Sequence, residues 1–253
     1  MIESLDTEYV MFIDQDDRFC REDAFGHSLE LIKSQNYDFV NFTCEREINE
    51  NGTTFDKKPS MYGDFSYCGD KLFEKFYPCD NHFIFHSKIF RSDIVKRSIP
   101  YELVGKRFSS GDMFCSAMWW FNSKRYLNVA TDDPIYEYKN YTGVWGSNKK
   151  NFSAKRIGEL CICSYNVMVS LYNRMVRIRP INTVELNNLV RGVNLPIICR
   201  LIKSVRKVNG DEQADGLMRI FHSAFCADGV HLLNGIDKFE MPEYISYLEG
   251  MMK

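Results

Sequence analysis

A short apolar run that ends in a group of carboxylates is the feature of this sequence that most restricts its fold. Residues Tyr9–Ile13 (YVMFI) contain no charged side chain, and Asp14, Asp16 and Asp17 follow directly. A run of this length is typical of a strand buried on both faces, as in a parallel sheet. Ligands of α/β proteins usually bind where such strands end. The sequence therefore predicts a ligand site at Asp14–Asp17.

The segments that follow alternate between strand-like and helix-like patterns. Phe25, Leu29 and Ile32 recur at helical spacing, which predicts a helix over residues 22–34. Further strands are expected at 37–43, 126–129 and 135–138, a polar turn and loop at 45–60, and a helix from about Asp112. Long amphipathic helices are expected at 156–178, 183–207 and 214–233. This rhythm predicts an α/β portion over 1–150 and a mostly helical extension over 151–253.

Charge is distributed unevenly along the 253 residues. The first 80 residues carry 18 acids against 8 bases, whereas residues 81–210 carry 21 bases against 8 acids, and the tail is acidic again. This asymmetry favours an anionic ligand or surface. The overall pI of about 6.2 and the lack of a nucleic-acid motif argue against nucleic acid as that partner. Nine scattered cysteines without a CxxC pair, and an N-terminus without a basic region, favour a cytoplasmic location.

The carboxylates after the first strand predict a cation site. Like charges repel when they crowd together, and a divalent cation relieves that repulsion. Oxygen ligands suit Mg²⁺ or Mn²⁺, which proteins often share with a diphosphate. The alternative is a polar turn that leads into a helix, with Asp17 as a solvated cap. The residues alone leave both interpretations open.

Four segments, taken in order, resemble family 2 glycosyltransferases of the GT-A fold over residues 6–150. EYVMFIDQDDRF resembles the family's strand followed by a DxD motif, and NHFIFHSKIFRSDIVKRS its K-h-F/Y-R stretch. SSGDMFCSAMWW stands where the family has its G-E-D motif, and RYLNVATDDPIYEYKNYTGVWGS resembles the strand pair that follows. The resemblance implies a partial, Rossmann-like GT-A sheet with flanking helices.

The resemblance also implies a reaction and a set of site residues. Asp14 and Asp16 match the DxD, which in the family holds Mn²⁺ or Mg²⁺ and the ribose and diphosphate of a nucleotide-sugar donor. Asp112 matches the family's general base, which accepts the proton of an acceptor hydroxyl in an inverting displacement. Trp145 is the aromatic residue expected to stack on the donor sugar. The acceptor would be a glycan or a lipid-linked glycan.

Two departures from the family pattern affect this interpretation. Gly111 replaces the Glu that precedes the family's catalytic Asp, and Ser110 replaces the Gly before it. Only thirteen residues precede Asp14, whereas a GT-A domain places its nucleotide-binding half there. We therefore expect the chain to be a fragment. Asp112 also has a structural alternative, since an acid at a helix start is favoured by the macrodipole, which lowers its pKa.

Two other functions remain open at this point. The early DxD and the later Gly111-Asp112 also resemble haloacid-dehalogenase-like phosphatases, in which the first Asp is a nucleophile. Arg18 and Ser116 stand where that family has other residues, and its Thr/Ser motif is missing. The second alternative is a GT-A-derived interaction module without activity. Such a module would bind no nucleotide sugar.

Histidines, a group of aromatic residues and the basic residues of the C-terminal helices carry weaker signals. His82 and His86 lack an evident third ligand, so we expect them to be core or surface residues. Trp119, Trp120 and Phe121 are expected in the core. Basic residues of the C-terminal helices form either a solvated face or a peripheral contact with the inner face of an anionic membrane; they are Arg174, Arg177, Arg179, Arg191, Arg200, Lys203, Arg206 and Lys207.

Overall fold

A computed structural model of the chain describes residues 6–42, 45–49, 51–57, 63–77, 85–101, 111–130, 134–139, 154–189, 206 and 210–216. The chain divides into two compact units. The first comprises residues 1–101 and 112–148, and the second comprises 102–111 and 149–253. Strands and helices both occur, so the α/β class predicted from the sequence is confirmed.

Short strands and helices alternate up to residue 139. In chain order they are β1 (Tyr9–Met11), β2 (Arg18–Phe19), α1 (Ala24–Ser34), β3 (Phe39–Phe42), β4 (Glu45–Ile48), β5 (Thr54–Lys57), β6 (Phe65–Cys68), α2 (Leu72–Phe76), β7 (Lys88–Arg91), α3 (Ser92–Arg97), α4 (Gly111–Asn122), β8 (Arg125–Val129) and β9 (Tyr136–Lys139). The helix expected near Asp112 and the strands expected near 37–43, 126–129 and 135–138 are confirmed to within two residues at each predicted end.

The strands form two mixed sheets. The larger has the order β1-β7-β3-β8-β6, in which only β3 and β8 run parallel, in the register Val40 opposite Leu127. The smaller has the order β2-β9-β4-β5, with β4 and β9 parallel and the other two pairs antiparallel. Because β2 follows β1 and β9 follows β8 in the chain, the acidic turn lies where the chain passes from one sheet to the other.

The expectation that the first strand is buried on both faces in a parallel sheet is wrong. β1 pairs antiparallel with β7 and is the edge strand of its sheet among the described residues. All three of its residues are only partly buried, and Ile13 just beyond it is 48% exposed. Apolar runs of this length do not distinguish a central strand from an edge strand, because the neighbouring strand is chosen by distant parts of the chain.

The polar stretch at 45–60, expected to be a loop, contains the β-hairpin of β4 and β5. The turn uses Gly52 at φ 79°, a conformation that glycine adopts without steric cost. The N–H of Gly52 donates to the carbonyl of Asn49 at 2.9 Å, and Arg46 pairs with Asp56 across the strands at 3.0 Å. The strands carry no apolar alternation that the sequence could show, since the hairpin is held by backbone hydrogen bonds and the ion pair between Arg46 and Asp56.

The end of α1 explains how the chain turns from this helix into β3. Asn36 has φ 55°, the left-handed conformation that Asn tolerates better than most residues. Its N–H donates to the carbonyl of Lys33, and the N–H of Tyr37 donates to that of Ile32 at 2.9 Å. This pair of bonds is a Schellman motif, which satisfies the last carbonyls of a helix and stops it.

An aromatic-rich core fixes the first unit. One cluster joins α1 to the sheets through Ile32, Val40, Phe42, Ile89 and Tyr136. Helix α4 is buried on most of its surface, and Trp119, Trp120 and Phe121 are core residues as expected. Burying apolar side chains of this size contributes about 1.5–3 kcal/mol each. The core therefore holds β1, β7, β9 and α4 in fixed positions, and these elements carry the site described below.

The described residues of the second unit are mainly helical. Helix α5 spans Ala154–Ile178 and α6 spans Thr183–Leu189, while residues 211–216 are also helical. Arg179 forms two hydrogen bonds to the buried carboxylate of Glu185, at 2.6 and 3.0 Å, and so fixes the turn between the two helices. Within these described residues, no helix has both the length and the apolar character needed to cross a membrane.

Candidate functional site

The acidic turn is a compact bend that follows β1. The N–H of Asp17 donates to the carbonyl of Asp14 at 3.1 Å, which closes the turn around Asp16. The N–H of Asp14 donates to the hydroxyl of Tyr136 at 3.1 Å. Tyr136 is fully buried at the start of β9. A core residue from the other end of the first unit's sequence therefore fixes the position of the turn.

Two further hydrogen bonds hold the carboxylate of Asp17. One oxygen accepts a bond from the Tyr136 hydroxyl at 2.7 Å, and the other accepts one from the N–H of Lys139 at 2.9 Å. The Tyr136 hydroxyl thus accepts from Asp14 and donates to Asp17. Burial raises the pKa of Tyr136 well above its ordinary value, so the hydroxyl keeps its proton and remains a donor. The sequence interpretation of Asp17 as a solvated cap is wrong, because Asp17 is half-buried and ties the turn to β9.

His86 is the third side chain at the turn. It is 7% exposed, and its ring stacks on Tyr136 at 4.3 Å and on Tyr138 at 5.5 Å, with interplanar angles of 10° and 12°. Metal-ligating atoms of Asp14, Asp17 and His86 all lie within 4.8 Å of one another. Two carboxylate oxygens and one imidazole nitrogen form a donor set that suits a divalent cation.

The electrostatics of Asp14 reflect this crowding. Burial raises the pKa of Asp14, and the neighbouring carboxylates of Asp17 and Asp16 raise it further, while His86 lowers it. A positive charge near the turn favours the ionised carboxylate, whereas each additional negative charge disfavours it. The turn is therefore an arrangement of negative charge that a bound cation would stabilise.

Asp112 lies in the first turn of α4 and is electrostatically coupled to Asp14. The Asp112 carboxylate accepts hydrogen bonds from its own N–H and that of Met113, which lower its pKa. Neighbouring protein atoms partly desolvate the carboxylate, which is the larger effect and raises its pKa, and the charge of Asp14 raises it further. The residue as a whole remains exposed to solvent. The lowered pKa expected for a simple helix cap is therefore wrong for Asp112.

The four residues expected in the site are placed as follows. Asp14 and Asp16 lie in the same turn, and Asp16 is partly exposed. Asp112 lies in the first turn of α4, where the charge of Asp14 contributes to raising its pKa. Trp145 lies outside the described residues, so its stacking on a donor sugar stays a prediction, as does the assignment of Asp14 and Asp16 to a metal.

Sequence reasoning missed the contributions of Asp17, His86 and Tyr136. The signal for His86 exists in the sequence only if Lys88–Arg91 is recognised as a strand that pairs with Tyr9–Met11. For Tyr136 there is no local signal, since its role depends on β9 lying beside the acidic turn. The expectation that His86 is a core or surface residue is confirmed as far as its burial is concerned.

No protein-family model matches the chain, and no curated protein matches it. Among solved structures, it is similar to the crystal structure of S. aureus TarS 1–349 in complex with UDP-GlcNAc, at 16% sequence identity and a TM-score of 0.45. The match covers 90% of this chain and 66% of the TarS chain, so this chain spans just under two thirds of the length of that chain.

Proposed function

We propose that this chain is a GT-A glycosyltransferase of family 2, or a part of one, that transfers a sugar from a nucleotide-sugar donor to a hydroxyl of a glycan. The observation that carries the proposal is the acidic turn after β1, where carboxylate oxygens of Asp14 and Asp17 lie within 4.8 Å of one another. Asp14 matches the first residue of the family's DxD. Asp112, which matches the family's general base, lies in the first turn of α4, and the charge of Asp14 contributes to raising its pKa.

In this proposal Asp112 is the general base. The acceptor hydroxyl oxygen attacks the anomeric carbon of the donor while Asp112 takes the hydroxyl proton, and the bond from that carbon to the diphosphate breaks with inversion. Carboxylates are better bases when their pKa lies closer to neutral pH. The raised pKa of Asp112 fits this role. Solvent access at Asp112 leaves room for an acceptor to approach.

The acidic turn would hold the donor's diphosphate through a divalent cation, Mn²⁺ or Mg²⁺. The residues present fit such an ion, because Asp14 has two carboxylate neighbours that raise its pKa. When bound, the cation neutralises the negative charge that develops on the leaving diphosphate. Asp14 and Asp16 are the ligands expected from the resemblance.

Donor binding and sugar transfer test the proposal separately. We expect UDP or GDP, titrated calorimetrically in the presence of Mn²⁺, to bind the wild-type chain and not Asp14→Ala, and to bind Asp16→Ala more weakly than the wild type. Asp112→Asn should retain donor binding and lose about 10²- to 10⁴-fold in the rate of transfer or donor hydrolysis. Asp93→Asn, an aspartate in the first turn of α3, is the matched control and should keep both.

Each alternative function has its own outcome in this experiment. An intact fold that binds neither nucleotide with Mn²⁺ would refute the transferase and leave the interaction module. Release of phosphate from small phosphate esters that depends on Asp14 would instead support the phosphatase. Binding that survives both substitutions in the turn would show that the nucleotide occupies another site.

If the acceptor glycan is lipid-linked, the protein would contact an anionic membrane surface at its inner, cytoplasmic face. Support comes from the end of α5, where Ile178 is 52% exposed and Val176 and Arg177 are also exposed. Apolar side chains beside a basic one suit the lipid interface. Two other basic residues of this region already form ion pairs within the protein: Arg179 pairs with Glu185, and Arg206 pairs with Asp211 and Asp215. Co-sedimentation with phosphatidylglycerol vesicles should decrease in Ile178→Ser.

A further inference from the structure

The antiparallel pairing of β1 with β7 brings the residues that follow β1 near those that precede β7. The pairing sets Tyr9 opposite Arg91 and Met11 opposite Ile89. Beyond it the chain leaves the ladder, since Ser87 has a positive φ of 57°. Metal-ligating atoms of Asp14 and His86 lie within 4.8 Å of each other at this end of the two strands.

Asp17 reaches the same point from the other side of the turn. Its carboxylate is held by the Tyr136 hydroxyl and the N–H of Lys139, both in β9. Each carboxylate oxygen has two lone pairs, so one hydrogen bond on each oxygen leaves capacity to bind an ion. Hydrogen bonds that orient a ligating carboxylate are typical of metal sites. The hydrogen bonds from Tyr136 and Lys139 therefore orient the Asp17 carboxylate before any ion binds.

His86 supplies a nitrogen atom at the same place. The ring stacks nearly parallel to the ring of Tyr136, at an interplanar angle of 10°. This stacking fixes the plane in which the two ring nitrogen atoms lie. A ring nitrogen lies within 4.8 Å of both carboxylates. Two ligands on opposite sides of an ion, each at about 2.1 Å, are about 4.2 Å apart. Small side-chain rotations would therefore bring all three atoms within bonding distance of one ion.

We propose that Asp14, Asp17 and His86, rather than Asp14 and Asp16, are the protein ligands of a transition-metal cation such as Mn²⁺ or Zn²⁺. Imidazole nitrogen is a good ligand for first-row transition metals, whereas Mg²⁺ and Ca²⁺ prefer oxygen alone. The site therefore selects Mn²⁺ or Zn²⁺ over Mg²⁺. This inference deepens the proposed function by naming the cation class and its ligands, and it rests on that function only for the purpose of the ion.

The competing explanation is an ion pair without a metal. His86 lowers the pKa of Asp14, so an ion pair between these two residues would stabilise the Asp14 carboxylate by itself. The ion-pair explanation predicts that added Mn²⁺ finds no high-affinity site at the turn. The two explanations therefore differ in a binding measurement that needs no nucleotide and no sugar transfer.

The test measures metal ions alone with four forms of the full chain. Mn²⁺ binding is followed by electron paramagnetic resonance of the free ion for the wild type, Asp17→Asn, His86→Phe and Asp16→Asn. Asn at position 17 keeps a hydrogen-bond acceptor, and Phe at position 86 keeps a ring for the stack on Tyr136. Asp16→Asn removes the same charge from the same turn and is the matched control.

We expect Mn²⁺ affinity to fall at least about tenfold in Asp17→Asn and His86→Phe, and clearly less in Asp16→Asn. Mg²⁺ should compete weakly with Mn²⁺ in the wild type. A larger loss in Asp16→Asn than in Asp17→Asn, or unchanged affinity in His86→Phe, would overturn the inference. So would a wild-type chain that binds no Mn²⁺.

Pulsed electron paramagnetic resonance keeps the inference testable if a variant fails to fold. The wild type loaded with Mn²⁺ should show coupling to a ¹⁴N nucleus, and a spectrum without such coupling would overturn the role of His86. A chain that binds Mn²⁺ through these three side chains but binds no nucleotide and transfers no sugar would refute the proposed function and leave this inference standing.

Discussion

Replacing Tyr136 by Phe tests the idea that one buried hydroxyl holds the acidic turn in place. The hydroxyl donates to the Asp17 carboxylate at 2.7 Å and accepts from the Asp14 N–H at 3.1 Å. A hydrogen bond to a charged group is worth about 1.5–3 kcal/mol, and a neutral one about 0.5–1.5 kcal/mol. Phe fills nearly the same volume, so no cavity is added. We expect Tyr136→Phe to lower the free energy of unfolding by about 2–4 kcal/mol.

Urea denaturation at 25 °C measures this loss as a lower midpoint with an unchanged slope. Tyr138→Phe is the matched control, because Tyr138 is in the same strand, also stacks on His86, and donates no hydrogen bond to any described residue. Its substitution should change the free energy by less than about 0.5 kcal/mol. If Tyr136→Phe is no less stable than Tyr138→Phe, the hydroxyl does not hold the turn and the reasoning is refuted.

Three further predictions concern stability. Asp112→Asn should stabilise the protein at neutral pH, because the folded state raises the pKa of Asp112. A carboxyl of this kind stabilises the fold fully below its unfolded pKa of about 3.9. That stabilisation is lost as pH rises through the folded pKa, so the ionised carboxylate disfavours folding at pH 7. Thermal unfolding between pH 7.5 and 4.5 should show that the stability difference between Asp112→Asn and the wild type decreases as pH falls. A difference that does not change with pH would contradict this prediction. Ser87→Gly should stabilise by about 1 kcal/mol, because Ser87 has φ 57° and its buried hydroxyl bonds no described residue; Ser87→Ala, which keeps the strained backbone, should gain less, and equal gains would refute the backbone argument. Asp38→Ala should cost about 3 kcal/mol in urea denaturation, since one Asp38 oxygen accepts the N–H groups of Lys124 and Arg125 at 2.7 and 3.0 Å, and a loss below 1 kcal/mol would show that those groups find other partners.

Local patterns predicted the elements whose residues repeat with a clear period. Helix α1 was predicted over 22–34 and spans Ala24–Ser34, and α5 was predicted over 156–178 and spans Ala154–Ile178. The hairpin of β4 and β5 was missed, because charged residues face each other across its strands and no apolar alternation marks them. Pairing energy in such strands comes from backbone bonds and cross-strand neighbours, which a single segment does not reveal.

Some residues of the candidate site could be selected from local sequence patterns, whereas others depend on tertiary contacts. Asp14, Asp16 and Asp112 could be selected from the sequence because a short apolar run before carboxylates, and an acid at a helix start, are local patterns. Asp17 could be seen but was interpreted as a cap, since its bonds to β9 join residues that are distant in the chain. His86 was not selected because a lone histidine has no local context that distinguishes a ligand from a core residue.

The sequence by itself determined the α/β class, the acidic turn after the first strand and the acid at the start of α4, because each depends on a few neighbouring residues. Tertiary structure alone decided that the first strand pairs antiparallel with Lys88–Arg91, and hence that His86 lies beside Asp14. It also decided that burial and Asp14 together raise the pKa of Asp112, against the effect of its helix terminus. Local preferences act through bonded neighbours, whereas desolvation and charge coupling depend on distances that only the folded chain sets.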